Sequence, residues 1–168
     1  MNKRIYATLL LTIALLFSAC NGNEIEKIVS DGFTEFYKQV ELINETKGDI
    51  DPFFKEESYL GLEENEVREI EHDNKKYIDY VDGLKNYFTD DMLDQIMRSR
   101  ELPNPVYYLS GYKKADFKLN SLKQDGEYYK INYTVNFTGD NELSRNYEYK
   151  IKITDKKISF AEGPLGIN

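Results

Sequence analysis

From residue 25 onward, apolar side chains recur at steps of three and four: Ile25, Ile28, Val29, Phe33, Phe36, Tyr37, Val40 and Ile43. That is the period of one helix face. Glu24, Lys27, Asp31, Glu35, Lys38 and Glu41 fill the other side. Asn23 is placed to cap the helix, with Glu26 three residues on as its reciprocal partner. Gly32 sits inside the helix at a propensity cost, and Lys47-Gly48 is the predicted stop. Asp51-Pro52 reads as an N-cap followed by proline at the first helical position. It opens a short helix through Phe53 and Phe54 that ends by Gly61. The charged run 63–76 is predicted to be an exposed connection, with a hairpin turn at Asp73-Asn74. Helical spacing returns with Tyr77, Ile78, Val81, Leu84, Tyr87 and Phe88. Thr89 is predicted to cap another helix, with Asp90 and Asp91 in its first turn, where acids suit the dipole. Leu93, Ile96 and Met97 form its inner face, Arg98 and Arg100 its C-terminal end, and Pro103 and Pro105 lie beyond it.

At Val106 the period changes to two. Tyr107 and Leu109 alternate before Gly111 interrupts them, and Phe117 and Leu119 alternate before Leu122 falls out of phase, which predicts a bulge. Asp125-Gly126 signals a hairpin turn. Tyr129, Ile131, Tyr133, Val135 and Phe137 then point one way, and Lys130, Asn132, Thr134 and Asn136 the other. After a turn at Gly139-Asp140-Asn141, Tyr147, Tyr149, Ile151 and Ile153 share one face, with Glu148, Lys150, Lys152 and Thr154 opposite. Ile158 and Phe160 make a short last strand after Asp155-Lys156-Lys157. Alternation of this kind belongs to an antiparallel sheet with one face buried and one wet. Helices followed by strands define an α+β domain. The expected architecture is a set of N-terminal helices covering the odd-numbered face of a curved antiparallel sheet of about four strands.

That order resembles the nuclear-transport-factor-two-like, or cystatin-like, fold. The resemblance is carried by Phe36-Tyr37 on the first helix, by Tyr87-Phe88-Thr89-Asp90-Asp91, and by the closing strands Tyr149–Ile153 and Lys157–Phe160. It implies a pocket framed between sheet and helices. A second resemblance, over residues 66 to 93, is to secreted inhibitors of cell-wall endopeptidases, in which a charged hairpin precedes a helix.

The first twenty residues are of another kind. Lys3 and Arg4 precede an apolar stretch from Ile5 to Phe17, followed by Ser18, Ala19 and Cys20. A basic start, a short apolar core and small residues before a cut describe an export signal. The apolar core falls short of the roughly 20 residues a membrane-spanning helix needs. Phe17 does not suit an ordinary signal-peptidase site, whereas Leu16-Phe17-Ser18-Ala19-Cys20 resembles the lipobox of bacterial lipoproteins. The resemblance implies cleavage after Ala19 and a diacylglycerol thioether on Cys20, with further acylation, palmitate included, at the new N-terminus. Two or more acyl chains hold a protein stably at a bilayer, at about 0.8 kcal/mol per buried methylene. The chain thus divides into a signal peptide (1–19), a lipidated cysteine and short tether (20–23) and a single domain (24–168).

Charge narrows the partners. The chain carries 22 basic and 30 acidic residues, a net charge of −8, and loss of Lys3 and Arg4 with the leader makes the remaining body more acidic. Nucleic acid needs a basic stripe, so it is not an expected partner, and the body as a whole is not expected to lie flat on anionic lipid. With its one cysteine lipidated, the domain has no thiol for a disulfide.

Chemistry-bearing motifs are few. His72, the only histidine, stands among Glu69, Glu71 and Asp73 and reads as part of a solvated face. The sequence holds no HExxH, CxxC, calcium-loop, GxSxG or glycine-rich phosphate motif, so no metal, cofactor or catalytic residue is expected. Asn44, Asn132 and Asn136 open sequons that a bacterial lipoprotein does not normally use. The tyrosines carry more. Tyr129, Tyr133, Tyr147 and Tyr149 fall on the face expected to be buried, and each brings a hydroxyl that needs a partner once out of water. They are the candidate lining of a semi-polar pocket for a small ligand or peptide. The sequence therefore predicts a non-catalytic binding or interaction module, anchored by lipid on the outer side of the cell membrane, with a ligand, peptide or envelope protein as partner. The alternative is an inhibitor or regulator of a cell-wall enzyme that presents the acidic 63–76 segment.

Overall fold

A computed structural model describes residues 22–45, 75–99, 101–104 and 106–163. The leader with Cys20, the stop at Lys47-Gly48, the helix expected after Asp51-Pro52, and the acidic run with His72 and the Asp73-Asn74 turn lie outside the described residues.

The chain is helical over 22–37 (α1), turns at Lys38, and continues as α2, Gln39–Glu45. The predicted face is the buried one: Val29, Phe33, Phe36, Tyr37, Val40 and Ile43 are core residues. Gly32 is there for space. A Cβ at this position would meet Tyr87 Cβ at 3.0 Å and Ile158 Cδ1 at 3.2 Å, so glycine lets α1 approach the far edge of the sheet. Helix α3 spans Lys75–Leu84, so Lys75 and Lys76 belong to it and not to the charged connection. It ends before Tyr87 and Phe88, contrary to the helical spacing. There the backbone leaves the helix to pair with Ile158, the Ile158 amide donating to the Tyr87 carbonyl at 2.7 Å and the Thr89 amide to the Ile158 carbonyl at 3.0 Å. Thr89 caps α4, Asp90–Arg98, its hydroxyl accepting from the Met92 amide at 3.4 Å. Met92, Leu93 and Ile96 are the buried residues of α4, and Met97 is only partly covered.

Val106–Leu109 is a short helix, α5, and not the start of a strand. Tyr107 is buried and Leu109 exposed, so the two do not share a face. The Asn104 side chain accepts from the Val106 amide at 3.0 Å and starts this turn of helix.

The sheet is a curved, open antiparallel meander of four strands in chain order, β1 Tyr112–Asp125, β2 Tyr128–Gly139, β3 Leu143–Thr154 and β4 Lys157–Glu162. Helices pack on one face, giving the α+β class the periodicity predicted. The β1 bulge falls where Leu122 loses phase, between Leu119 and Ser121. The Gly126-Glu127 turn is closed by the Asp125–Tyr128 pair, with Gly126 at φ 65°, a value glycine adopts without steric cost. Besides the shift between Tyr112 and Lys114, a third irregularity, between Lys152 and Ile153, has no counterpart in the period-two pattern. It puts Ile158 and Ala161 in the core and turns Phe160 to the outer face against Tyr128, ring centroids 5.7 Å apart.

Candidate functional site: the interior tyrosine cluster

Four sheet tyrosines were expected on the inner face. Antiparallel register sets Tyr133 of β2 opposite Tyr147 of β3 on one flank and Leu119 of β1 on the other. Tyr149 follows two residues later on the same face. Their centroids lie 5.2 Å (Tyr133–Tyr147) and 5.5 Å (Tyr133–Tyr149) apart. All three are buried, Tyr133 completely. Tyr129 stands apart. It pairs with Ile151 and Gln124 near the start of β2, is half-buried, and makes no ring contact with the other three among the described residues. The structure thus gathers Tyr133, Tyr147 and Tyr149 and leaves Tyr129 at the rim.

Helix α1 closes the cluster from above. Phe33 reaches Tyr133 at 5.2 Å, Phe117 at 5.5 Å and Tyr149 at 6.1 Å. Ring pairs at such separations contribute about 0.5–1.5 kcal/mol beyond the area they bury. Tyr37, one helical turn after Phe33, sets its hydroxyl 3.3 Å from that of Tyr133. The two phenols are each other's partner across 96 residues of chain. The Tyr149 hydroxyl is buried beside that of Tyr133, close enough for Tyr133 to pull against the rise in its pKa, but without the geometry of a full hydrogen bond.

Two polar side chains that periodicity did not flag are also withdrawn from solvent, and one of them, Glu101, acts electrostatically on Tyr37 and Tyr149. Gln39, fully buried, accepts from the Asn104 amide at 2.9 Å through Oε1, while its Nε2 has no partner. One oxygen of the half-buried Glu101 is likewise shut away without a hydrogen bond. Neither signal is local: Gln39 follows the break between α1 and α2, and Glu101 lies in the connection to Asn104.

Burial governs the electrostatics. Desolvation pushes the Tyr37, Tyr80, Tyr107, Tyr133 and Tyr149 phenols upward; neighbouring phenols add to the effect on each, and Glu101 to that on Tyr37, Tyr107 and Tyr149. Burial also holds the Glu101 carboxyl above the usual carboxylate range, against the opposing pull of Ser99. The cluster is therefore a set of neutral phenols with a carboxyl that ionises reluctantly. Such groups donate and accept hydrogen bonds and are poor proton carriers near neutrality.

A separate cleft of about 490 Å³ opens where Gly22, Asn23 and Glu26 face Leu119–Leu122 at the β1 bulge. Among the described residues no three His, Cys, Asp or Glu side chains converge as metal ligands would, and no helix is long and apolar enough to cross a membrane. Comparison with protein-family models, curated proteins and solved structures finds no match to this chain.

Proposed function

We propose that this chain is a lipid-anchored lipoprotein on the outer side of the cell membrane and that its domain is a non-catalytic binding module. What supports the anchoring is the lipobox-like Leu16–Cys20 behind a basic, apolar leader. The described helix already runs from Gly22, and only Asn21 stands between it and Cys20. Glu24 is tied to Lys156 of the β3–β4 turn at 2.7 Å, so the first turn of α1 is fastened to the sheet. Acyl chains on Cys20 would hold the whole α+β body within about two residue lengths of the headgroups, near 7 Å.

The binding reading draws on the interior. Its phenols are neutral and its spare polar atoms, Tyr149 Oη, Glu101 Oε2 and Gln39 Nε2, are hydrogen-bonding groups without partners. A small ligand or peptide end that satisfied them would repay part of their burial cost. The overall helix-on-sheet order also agrees with the nuclear-transport-factor-two-like resemblance, whose framed pocket lies on this face.

Metabolic labelling with an alkyne fatty acid tests the anchor. The wild-type chain is expected to take up label and sediment with membranes, and Cys20→Ser to lose both properties. Equal labelling of the two would refute the reading.

A further inference from the structure

The solvent face of the sheet carries a pattern that the core does not require. At its centre stand uncharged amides and hydroxyls: Asn132, Thr134 and Asn136 on β2, Ser144 and Asn146 on β3, and Asn120 at the β1 bulge. They bond across the strands. Asn120 Nδ2 donates to Thr134 Oγ1 at 2.8 Å and to Asn132 Oδ1 at 3.3 Å. Thr134 Oγ1 donates to Asn146 Oδ1 at 2.7 Å, and Ser144 Oγ to Asn136 Oδ1 at 2.7 Å. The amide oxygens of Asn132, Asn136 and Asn146 thus each accept a bond inside the ladder. Their three NH2 groups are left with no protein partner among the described residues.

The surrounding charge has the opposite sign to the molecule's. Glu127 of the β1–β2 turn is paired with Lys152 at 2.5 Å, and Lys114, Lys118, Lys123, Lys130, Lys150 and Lys152 share the face itself with four carboxylates. Two of these, Asp116 and Asp125, are already paired with Lys114 and Lys130 at 2.6 and 3.1 Å; Glu148 and Glu162 are the others. Lys118, in register with Thr134, and Lys123 have no ion pair among the described residues. The helical side is the reverse, with acids outnumbering lysines along α1 and α2. At one end of the ladder Tyr128 and Phe160 form an aromatic flank, with Lys150 Nζ 4.2 Å from the Tyr128 centroid.

We propose that this outer sheet face binds an anionic polysaccharide, a chain of hydroxyl-bearing sugars carrying carboxylates or phosphates. The unpartnered amide NH2 groups match sugar and acid oxygens, and unpaired ammonium groups beside them match the charge. Asn132 and Asn136 are about 13 Å apart along β2, with Asn146 on the adjacent strand, about 4.8 Å across, between them. A run of several sugars covers that array and a single small anion does not. The acidic remainder of the protein acts weakly at this range, since charges more than about 8 Å away are screened at physiological salt. The proposal does not depend on the anchor or on the tyrosine cluster.

The test uses the full chain in phosphatidylcholine vesicles with fluorescent polygalacturonate as probe. Saturable binding is expected, weakened by added salt and about ten-fold or more, some 1.4 kcal/mol, in the triple variant Asn132→Ala, Asn136→Ala, Asn146→Ala. The double variant Lys118→Glu, Lys123→Glu, confined to exposed positions, is expected to do the same with an unchanged circular-dichroism spectrum. Neutral dextran is expected to bind at least about ten-fold more weakly. Absence of saturable polygalacturonate binding would overturn the proposal, as would undiminished binding by the folded double variant or equal binding of dextran. Capture by phosphatidylglycerol vesicles without polygalacturonate binding would assign the face to lipid headgroups instead.

Discussion

The Tyr80 hydroxyl donates a hydrogen bond of 2.6 Å to the Phe36 carbonyl, next to the turn at Lys38 that separates α1 from α2. In an unbroken helix that carbonyl would serve the Val40 amide. A side chain inserted into the ladder is one of the identifiable causes of a helix break. The break is what lets Gln39 turn inward to Asn104. Tyr80→Phe should leave the buried carbonyl short of a partner and cost about 1–2 kcal/mol, read from urea unfolding. Unchanged stability would mean that the helix closes over the gap unaided.

Two helical glycines should behave in opposite ways. Gly32→Ala places its methyl group against Tyr87 Cβ and Ile158 Cδ1, so overpacking outweighs the propensity gain and stability should fall by about 1–3 kcal/mol. At Gly83 the nearest atom is the Glu35 carboxylate at 3.2 Å, the mobile end of a side chain. Gly83→Ala should therefore stabilise by up to about 1 kcal/mol. Chemical denaturation of the pair distinguishes a glycine needed for close approach from one that is merely tolerated.

Glu101 makes a pH prediction. Its carboxyl is held above the ordinary range in the folded protein, so folding favours the protonated form. The stability linked to this group is complete below the unfolded carboxyl pKa and is lost as pH rises through the folded value. Glu101→Gln should be more stable than wild type at neutral pH, and the difference should close in acid. Thermal midpoints across that range would show it. A constant difference would assign the effect to packing.

The interior phenols set the alkaline limit. Their folded pKa values are raised, Tyr37 and Tyr149 among them, so they contribute stability below the ordinary phenol range. That stability drains away as pH climbs beyond about 10. Base titration followed by phenolate absorbance should show the exposed tyrosines first, then a cooperative step coincident with loss of circular dichroism. Within the cluster, Tyr149→Phe should be neutral or slightly stabilising, since its hydroxyl has no partner. Tyr133→Phe, which strands Tyr37, should cost about 1 kcal/mol.

Period two made the sheet legible over Tyr129–Phe137 and Tyr147–Ile151, because one face of each strand is core and the other is wet. The β1 bulge was legible because Leu122 is visibly out of phase. The β4 irregularity was not, since six residues are too few to reveal a lost beat. Val106–Leu109 was misread because four residues cannot separate a period of two from one of 3.6. The usable signal was Asn104-Pro105, a cap residue followed by proline at a helix start. Tyr133, Tyr147 and Tyr149 could be assigned to one face from spacing alone. Gln39 and Glu101 could not, because what buries them is a contact with distant chain.

The backbone of Tyr87 and Thr89 occupies the outward hydrogen-bonding groups of Ile158 on β4. The opposite border, β1, bristles with Lys113, Lys114, Lys118 and Lys123. At Ile158 one rim is capped by the protein's own chain, and the other presents Lys118 and Lys123 to its like, while Lys113 and Lys114 are paired with Asp140 and Asp116. Both features oppose edge-to-edge pairing with a second copy of the chain.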